Sequence, residues 1–138
     1  MMYRFLSRIV FALFISFSTL AQTVTVKIIE TSDVHGAIFP YDLKENKEIN
    51  SSLARVTTYL KELRADSNQI VFLLDNGDVL QGDPVVYYYN FEKTDTIHLY
   101  ADVMNFMKYD AGTVGNHDIE TGHDVYDKFN KEINFPWL

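Results

Sequence analysis

Ala111-Gly112-Thr113-Val114-Gly115-Asn116-His117-Asp118 begins as a short apolar strand and ends in three side chains able to bind a metal or move a proton. The intervening glycine permits a tight turn and keeps side-chain bulk away from a bound ion. Alone, the stretch reads as a polar turn with one exposed histidine. Two earlier runs change that reading. Ile28-Ile29-Glu30-Thr31-Ser32-Asp33-Val34-His35-Gly36 and Ile70-Val71-Phe72-Leu73-Leu74-Asp75-Asn76-Gly77-Asp78 repeat the form, an apolar strand that stops in ligand-type residues. Three strands delivering Asp33, His35, Asp78, Asn116 and His117 to one edge make the pattern of a metal-dependent hydrolase.

Outward from these motifs, strand and helix signals alternate. Val24, Val26 and Ile28 alternate before the run thickens, which predicts a first strand buried on both faces. Residues 36–48 read as loop. Asn50, Ser51 or Ser52 can cap a helix whose Leu53, Val56, Leu60 and Leu63 share one face. Ile70 to Leu74 is a second buried strand; a hairpin at Asn76-Gly77 is rejected because too little return strand follows. Asp83-Pro84 supplies the N-cap and first position of a short helix through Tyr87 to Tyr89. Asp95-Thr96 can cap another, with Ile97, Tyr100, Ala101 and Met104 on one face. Ala111 to Val114 is the third strand. Thr121 to Asp124 has capping-box spacing ahead of Val125, Phe129 and Ile133. The order β-α-β-α-α-β-α predicts a layered α/β sheet whose functional loops follow the strand ends. Asn134 to Leu138 reads as the lead-in to a fourth strand, so the chain is expected to be the N-terminal part of a longer protein.

Residues 1–21 read as a secretory signal. Arg4 and Arg8 precede an apolar run from Ile9 to Phe17, then small residues lead to a cleavage point after Ala21. That run is short of the roughly 20 residues a membrane span needs. Export to the periplasm or the medium, with no stable membrane anchor, is therefore expected. Residues 22–138 carry the fold. The net charge is −7, or −9 once the two arginines of the leader are set aside. An acidic surface argues against a nucleic-acid polymer as partner. A small anionic substrate met locally by metal ions remains compatible. The chain has no cysteine, so any metal site is built from Asp, Asn and His.

Those residue types suit phosphoester hydrolysis. The ester's own charge repels nucleophiles. Two cations about 3.5–4 Å apart clamp the phosphoryl oxygens and bring a water's pKa from about 15.7 towards about 7. Asp78, at the tip of the central strand, is the natural bridge between them. Asp33 and His35 are i and i+2, so on an extended segment both reach one ion. Asn116 offers a neutral oxygen to the second, and His117 is free to protonate a leaving group. Asp75 is expected in an ordinary loop, His98 and His123 on helix surfaces, Tyr87 to Tyr89 in helix packing, and Glu30 as a polar strand end.

Asp33-Val34-His35-Gly36, Gly77-Asp78-Val79-Leu80-Gln81-Gly82 and Gly115-Asn116-His117-Asp118 together resemble the first three motifs of the calcineurin-like metallophosphoesterases. More closely they resemble the exported branch of 5′-nucleotidases and 2′,3′-cyclic-nucleotide 2′-phosphodiesterase/3′-nucleotidases. Gln81-Gly82 is typical of that branch, and Glu30 to Gly36 followed by Pro40-Tyr41-Asp42 leans to the cyclic-nucleotide side. The resemblance implies a β-sandwich flanked by helices and a dinuclear site. Asp33 and His35 would bind one divalent ion, Asp78 would bridge, Asn116 would bind the second, and His117 would assist the leaving group. The carboxylate that the family sets three residues after that histidine is usually Asp in the 5′-nucleotidases; here it is Glu120, one methylene longer. Oxygen and nitrogen ligands admit Mn, Zn, Co or Fe. The implied substrate is a small nucleotide. Later family motifs would supply further histidine ligands and a substrate domain. A 5′-nucleotidase or nucleotide-sugar hydrolase stays open as an alternative, as does a non-catalytic fragment with half of the site.

Overall fold

The computed structural model describes Tyr3 and residues 23–138, so all of the proposed signal segment except Tyr3 lies outside the described residues. Its centre is a parallel sheet of β1 (Thr25–Thr31), β4 (Gln69–Asp75) and β5 (Ala111–Gly112), in the order β1-β4-β5. β1 and β4 run in register from Thr25 opposite Gln69 to Thr31 opposite Asp75. The tail extends the sheet beyond β5, through a parallel bridge between Gly112 and Trp137 and a Leu138 amide bonded to the Gly112 carbonyl at 2.9 Å. The lead-in to a fourth strand is thus real.

Between β1 and β4 lie a small antiparallel hairpin, β2 (Tyr41–Asp42) with β3 (Lys47–Glu48), and helix α1 (Leu53–Arg64). The hairpin falls where the sequence reads as loop. Its turn is closed by the Asp42 carboxylate, which accepts the amides of Lys44 and Glu45. Ser52 caps α1, its hydroxyl accepting the Arg55 amide, and Leu53 and Leu60 are buried against the sheet. After β4 come α2 (Pro84–Tyr87), a π-helical turn Tyr88–Glu92, and α3 (Leu99–Met107). Asp83 caps α2 with Pro84 behind it, as the sequence predicts. α3 starts later than Asp95-Thr96. His98 is its cap, through an Nδ1 that accepts the Tyr100 amide, and Asp95 instead pairs with Lys93 at 2.9 Å.

Past β5, the polar stretch after Gly115 is a short helix α4 (Asn116–Glu120), followed by α5 (His123–Glu132). The expected capping box for α5 is not formed. Thr121 closes α4 instead, and Gly122 stands at the start of α5 without a side-chain cap. The core lies on one side of the sheet, where Leu73, Tyr100, Met104 and Phe129 are buried with Leu53 and Leu60. The other face is bare. Val26 and Ile28 are 53% and 66% exposed, and Ile70 and Phe72 share that exposure. β1 is therefore not buried on both faces, because nothing among the described residues packs over its second face.

Candidate metal centre

All three loops that follow the parallel strands meet at the C-terminal edge of the sheet. Backbone bonds stitch them together beyond the strands. The Asp33 amide donates to the Gly77 carbonyl at 3.1 Å, and the His35 amide to the Asp78 carbonyl at 3.0 Å. Gly77 and Gly115 face one another where the loops cross. A Cβ on Gly77 would overlap the Gly115 backbone, and one on Gly115 would overlap the Asp78 carboxylate. Two glycines in opposition allow the Asp78 loop to lie flat on the start of α4.

Asp33, His35 and Asp78 have φ of 53°, 46° and 62°, in the left-handed region that non-glycine residues avoid. The extended geometry expected for Asp33 and His35 is therefore replaced by successive left-handed turns. The pair still meets, with His35 Nε2 3.9 Å from Asp33 Oδ1. Backbone strain of this kind persists where surrounding structure fixes it, and it concentrates at functional sites.

His35, Asp78 and His117 bring one nitrogen or oxygen each to within 4.8 Å of one another. The two imidazoles lie edge to face with centroids 5.3 Å apart. His35 Nδ1 bonds the Gln81 carbonyl at 3.0 Å, and a carbonyl only accepts, so the proton sits on Nδ1 and Nε2 keeps its lone pair. A histidine held through its second nitrogen by a carbonyl or carboxylate is the arrangement that metal ligands use. Asp78 Oδ1 accepts the His117 amide at 2.9 Å, which aims its carboxylate across the start of α4. Asn116 is the exposed first residue of α4, and Asp33 is exposed beside His35. His35, Asp78 and His117 are the half-buried, convergent trio, oxygen and nitrogen only, and they fit a hard or borderline divalent cation, whereas Asp33 and Asn116 stand exposed at its margin.

His117 Nδ1 donates to Glu120 Oε2 at 2.9 Å, so the longer side chain of Glu120 still closes the contact. That bond raises the histidine's pKa and lowers the carboxylate's. Gln81 Nε2 donates to the same carboxylate oxygen at 3.3 Å.

Two residues escape the sequence reading. Asp118, fully buried, receives the amides of Asp78, Val79, Leu80 and Gly115 at 2.8–2.9 Å. It is the brace that locks the Asp78 loop to α4. Its signal was available, an acidic residue three places after Gly115 at a helix start. Asp75 is not a loop residue. It ends β4, buried, accepts the Thr31 hydroxyl at 2.9 Å and the Gly77 amide at 3.1 Å, and burial pushes its pKa up to about 6. His98 also departs from expectation, being buried as the α3 cap, whereas His123 is exposed at the start of α5. Tyr87 and Tyr88 are exposed and do not pack into the core; Val86 and Asn90 take the inward positions.

The family model of the calcineurin-like phosphoesterases matches residues 26–138. The trifunctional nucleotide phosphoesterase YfkN of Bacillus subtilis is 37% identical over 123 residues, which are 84% of this chain and 8% of that protein. The 2′,3′-cyclic-nucleotide 2′-phosphodiesterase/3′-nucleotidase of Yersinia enterocolitica is 31% identical over 86% of the chain, and Bos taurus 5′-nucleotidase is 32% identical over the same share. The matches cover 18% and 20% of those two relatives. The crystal structure of the YfkN phosphoesterase superposes with a TM-score of 0.73 at 36% identity, covering 83% of this chain and 36% of that one. A putative 5′-nucleotidase from Staphylococcus aureus gives a TM-score of 0.72 at 32% identity, over 82% of this chain and 22% of its own. Three strand-end loops that meet around His35, Asp78 and His117 carry a fold and a sequence pattern that agree, and the chain belongs to the calcineurin-like phosphoesterases.

Proposed function

We propose that this chain forms the N-terminal part of an exported, metal-dependent nucleotide phosphoesterase, and that its substrates are 2′,3′-cyclic nucleotides and 3′-nucleotides. The observation that carries the reading is the meeting of His35, Asp78 and His117 within 4.8 Å at the strand ends. The cyclic-nucleotide preference draws its support from relatives such as the Yersinia protein. Asp33 and His35 are proposed to hold one divalent ion, Asp78 to touch both, and Asn116 to hold the second. Ions bound there supply Lewis-acid stabilisation of charge on the phosphoryl oxygens and acidify a water.

The chain's own residues do the rest. Asp118 keeps Asp78 fixed against α4, so a carboxylate is preorganised where positive charge is to sit. Glu120 orients His117 through Nδ1 and raises its pKa, which keeps the ring protonated to higher pH. His117 Nε2 then holds the proton that passes to the departing alcohol oxygen.

A 5′-nucleotidase reading has its own support in the bovine relative. Initial rates of the complete gene product on 2′,3′-cyclic AMP, 3′-AMP and 5′-AMP separate the two. Higher kcat/KM on the first two is expected; preference for 5′-AMP contradicts the proposal, and no metal-dependent turnover on any of them contradicts both readings.

A further inference from the structure

Between the first strand-end loop and α1, the β2–β3 hairpin turns under the control of three hydrogen bonds. The Asp42 carboxylate accepts the amides of Lys44 and Glu45 at 2.9 and 3.0 Å, and the Tyr41 hydroxyl donates to Asn46 Oδ1 at 2.7 Å. The backbone of Lys44 is thereby held while its side chain stays exposed. That side chain leaves the hairpin and donates Nζ to the Gly82 carbonyl at 3.3 Å. Gly82 lies directly on His35. A Cβ there would stand 2.6 Å from the His35 carbonyl oxygen, and the Asp83 amide donates to that same oxygen at 2.9 Å. Gln81, one residue back, bonds His35 through its carbonyl and Glu120 through its side chain. The Lys44 ammonium thus stands at the rim of the candidate centre, on the segment that touches His35 and the partner of His117.

This edge of the sheet is acidic, with Asp33, Asp78, Asp83, Asp118 and Glu120 on the loops or beside them. Among the described residues, Lys44 is the only lysine or arginine whose head group hydrogen-bonds to one of these loops; Arg64, Lys93 and Lys128 bond elsewhere, and Lys47 faces Glu45. A lysine placed only to offset the acids would pair with one of them. Lys44 instead rests on a neutral carbonyl by a long contact. Its compact charge on a flexible stem can exchange that oxygen for an anionic one without moving the hairpin.

We propose that Lys44 reads the charge of the ester, meeting the additional non-bridging oxygen that a phosphomonoester has and a cyclic phosphodiester lacks. The proposal rests on the phosphoesterase reading above. A cyclic diester carries a single negative charge on two non-bridging oxygens. Opening its ring leaves a monoester with a third such oxygen and up to two charges, and the same centre must then hold this ester among carboxylates that repel it. A mobile cation at the rim offsets part of that repulsion, and its pull grows with the charge of the ester. Lys44 is in this account a specificity-determining residue that supports the monoester step.

The test uses the complete gene product and its Lys44→Ala, Lys44→Arg and Lys47→Ala variants. Rates on 3′-AMP and 2′,3′-cyclic AMP are compared at low and high salt, and binding of inorganic phosphate to the metal-loaded proteins is measured by calorimetry. In Lys44→Ala, kcat/KM for 3′-AMP should fall by roughly 5-fold relative to the cyclic ester, mainly through KM, and phosphate affinity should fall by a similar factor. Salt should narrow the gap from the parent, Lys44→Arg should restore most of it, and Lys47→Ala should leave the selectivity unchanged. Equal losses on both esters, unchanged phosphate binding, or the same shift in Lys47→Ala would overturn the proposal. A parent that hydrolyses neither ester, yet binds phosphate through Lys44, would retain the anion contact and remove the phosphoesterase reading. A parent that neither binds phosphate nor hydrolyses 3′-AMP would remove the role given to Lys44.

Discussion

Four backbone amides converge on Asp118, a residue that takes no part in the proposed proton transfer. An amide in its place turns one acceptor oxygen into a donor that faces N–H groups. Asp118→Asn should therefore lower unfolding stability by about 1.5–3 kcal/mol or more, since hydrogen bonds to a buried charge are lost, and it should weaken metal binding as the Asp78 loop loosens. A urea midpoint and metal affinity equal to the parent's would contradict the brace. His98 gives a pH prediction. Burial holds its pKa down at about 4, below the ordinary 6.5, with both nitrogens already bonded in the neutral form. Its stabilising share is complete above pH 6.5 and is lost as pH falls towards about 4. Relative to His98→Asn, the parent should lose stability across that window, by up to about 3 kcal/mol at one proton. Parallel pH profiles for the two would contradict this. At the centre, His117→Ala should reduce turnover of the complete enzyme by on the order of 10²–10³ while metal stoichiometry holds. Loss of metal would make His117 a ligand, a role its distance from His35 and Asp78 also permits.

At the level of elements, what the sequence revealed depended on periodicity and caps. β4 and α1 were legible because Ile70 to Leu74 is a continuous apolar run and Ser52 precedes a regular apolar stripe. α4 was not, because five residues from Asn116 to Glu120 are too few to show a period, and all but Ile119 are polar. The β2–β3 hairpin was hidden for a similar reason, being two residues to a strand in a charged tract. The histidine cap of α3 hid behind Asp95-Thr96, a stronger local capping signal. Asp33, His35, Asp78, Asn116 and His117 stand out as candidates because ligand-type residues at strand ends contrast with apolar runs, whereas Glu120 enters only through the family resemblance. The roles of Asp118 and Asp75 were not, because a carboxylate that serves backbone amides has the same letter as one that waits for a ligand.

On the scale of the molecule, the chain matches only 8–20% of the length of the relatives reported above. Asp33, His35, Asp78 and Asn116, the four side chains proposed as ligands, would be few for two ions, and one of them would be a weak neutral oxygen. The sheet also leaves Val26, Ile28, Ile70 and Phe72 uncovered, an apolar face of the kind that promotes association. The isolated 138-residue chain should accordingly show no turnover of 2′,3′-cyclic AMP, 3′-AMP or 5′-AMP with added Mn²⁺ or Zn²⁺, and it should self-associate in sedimentation. Turnover by the isolated chain would make the half-site sufficient. Asp78 is proposed to bridge a pair of divalent ions on which hydrolysis depends. Metal content and 3′-AMP hydrolysis, measured together on the complete gene product and its Asp78→Asn variant, decide it. Two ions per parent molecule, with both metal and activity largely lost in a variant that remains folded, is the predicted result; a folded Asp78→Asn protein that keeps its metal and its rate would contradict it.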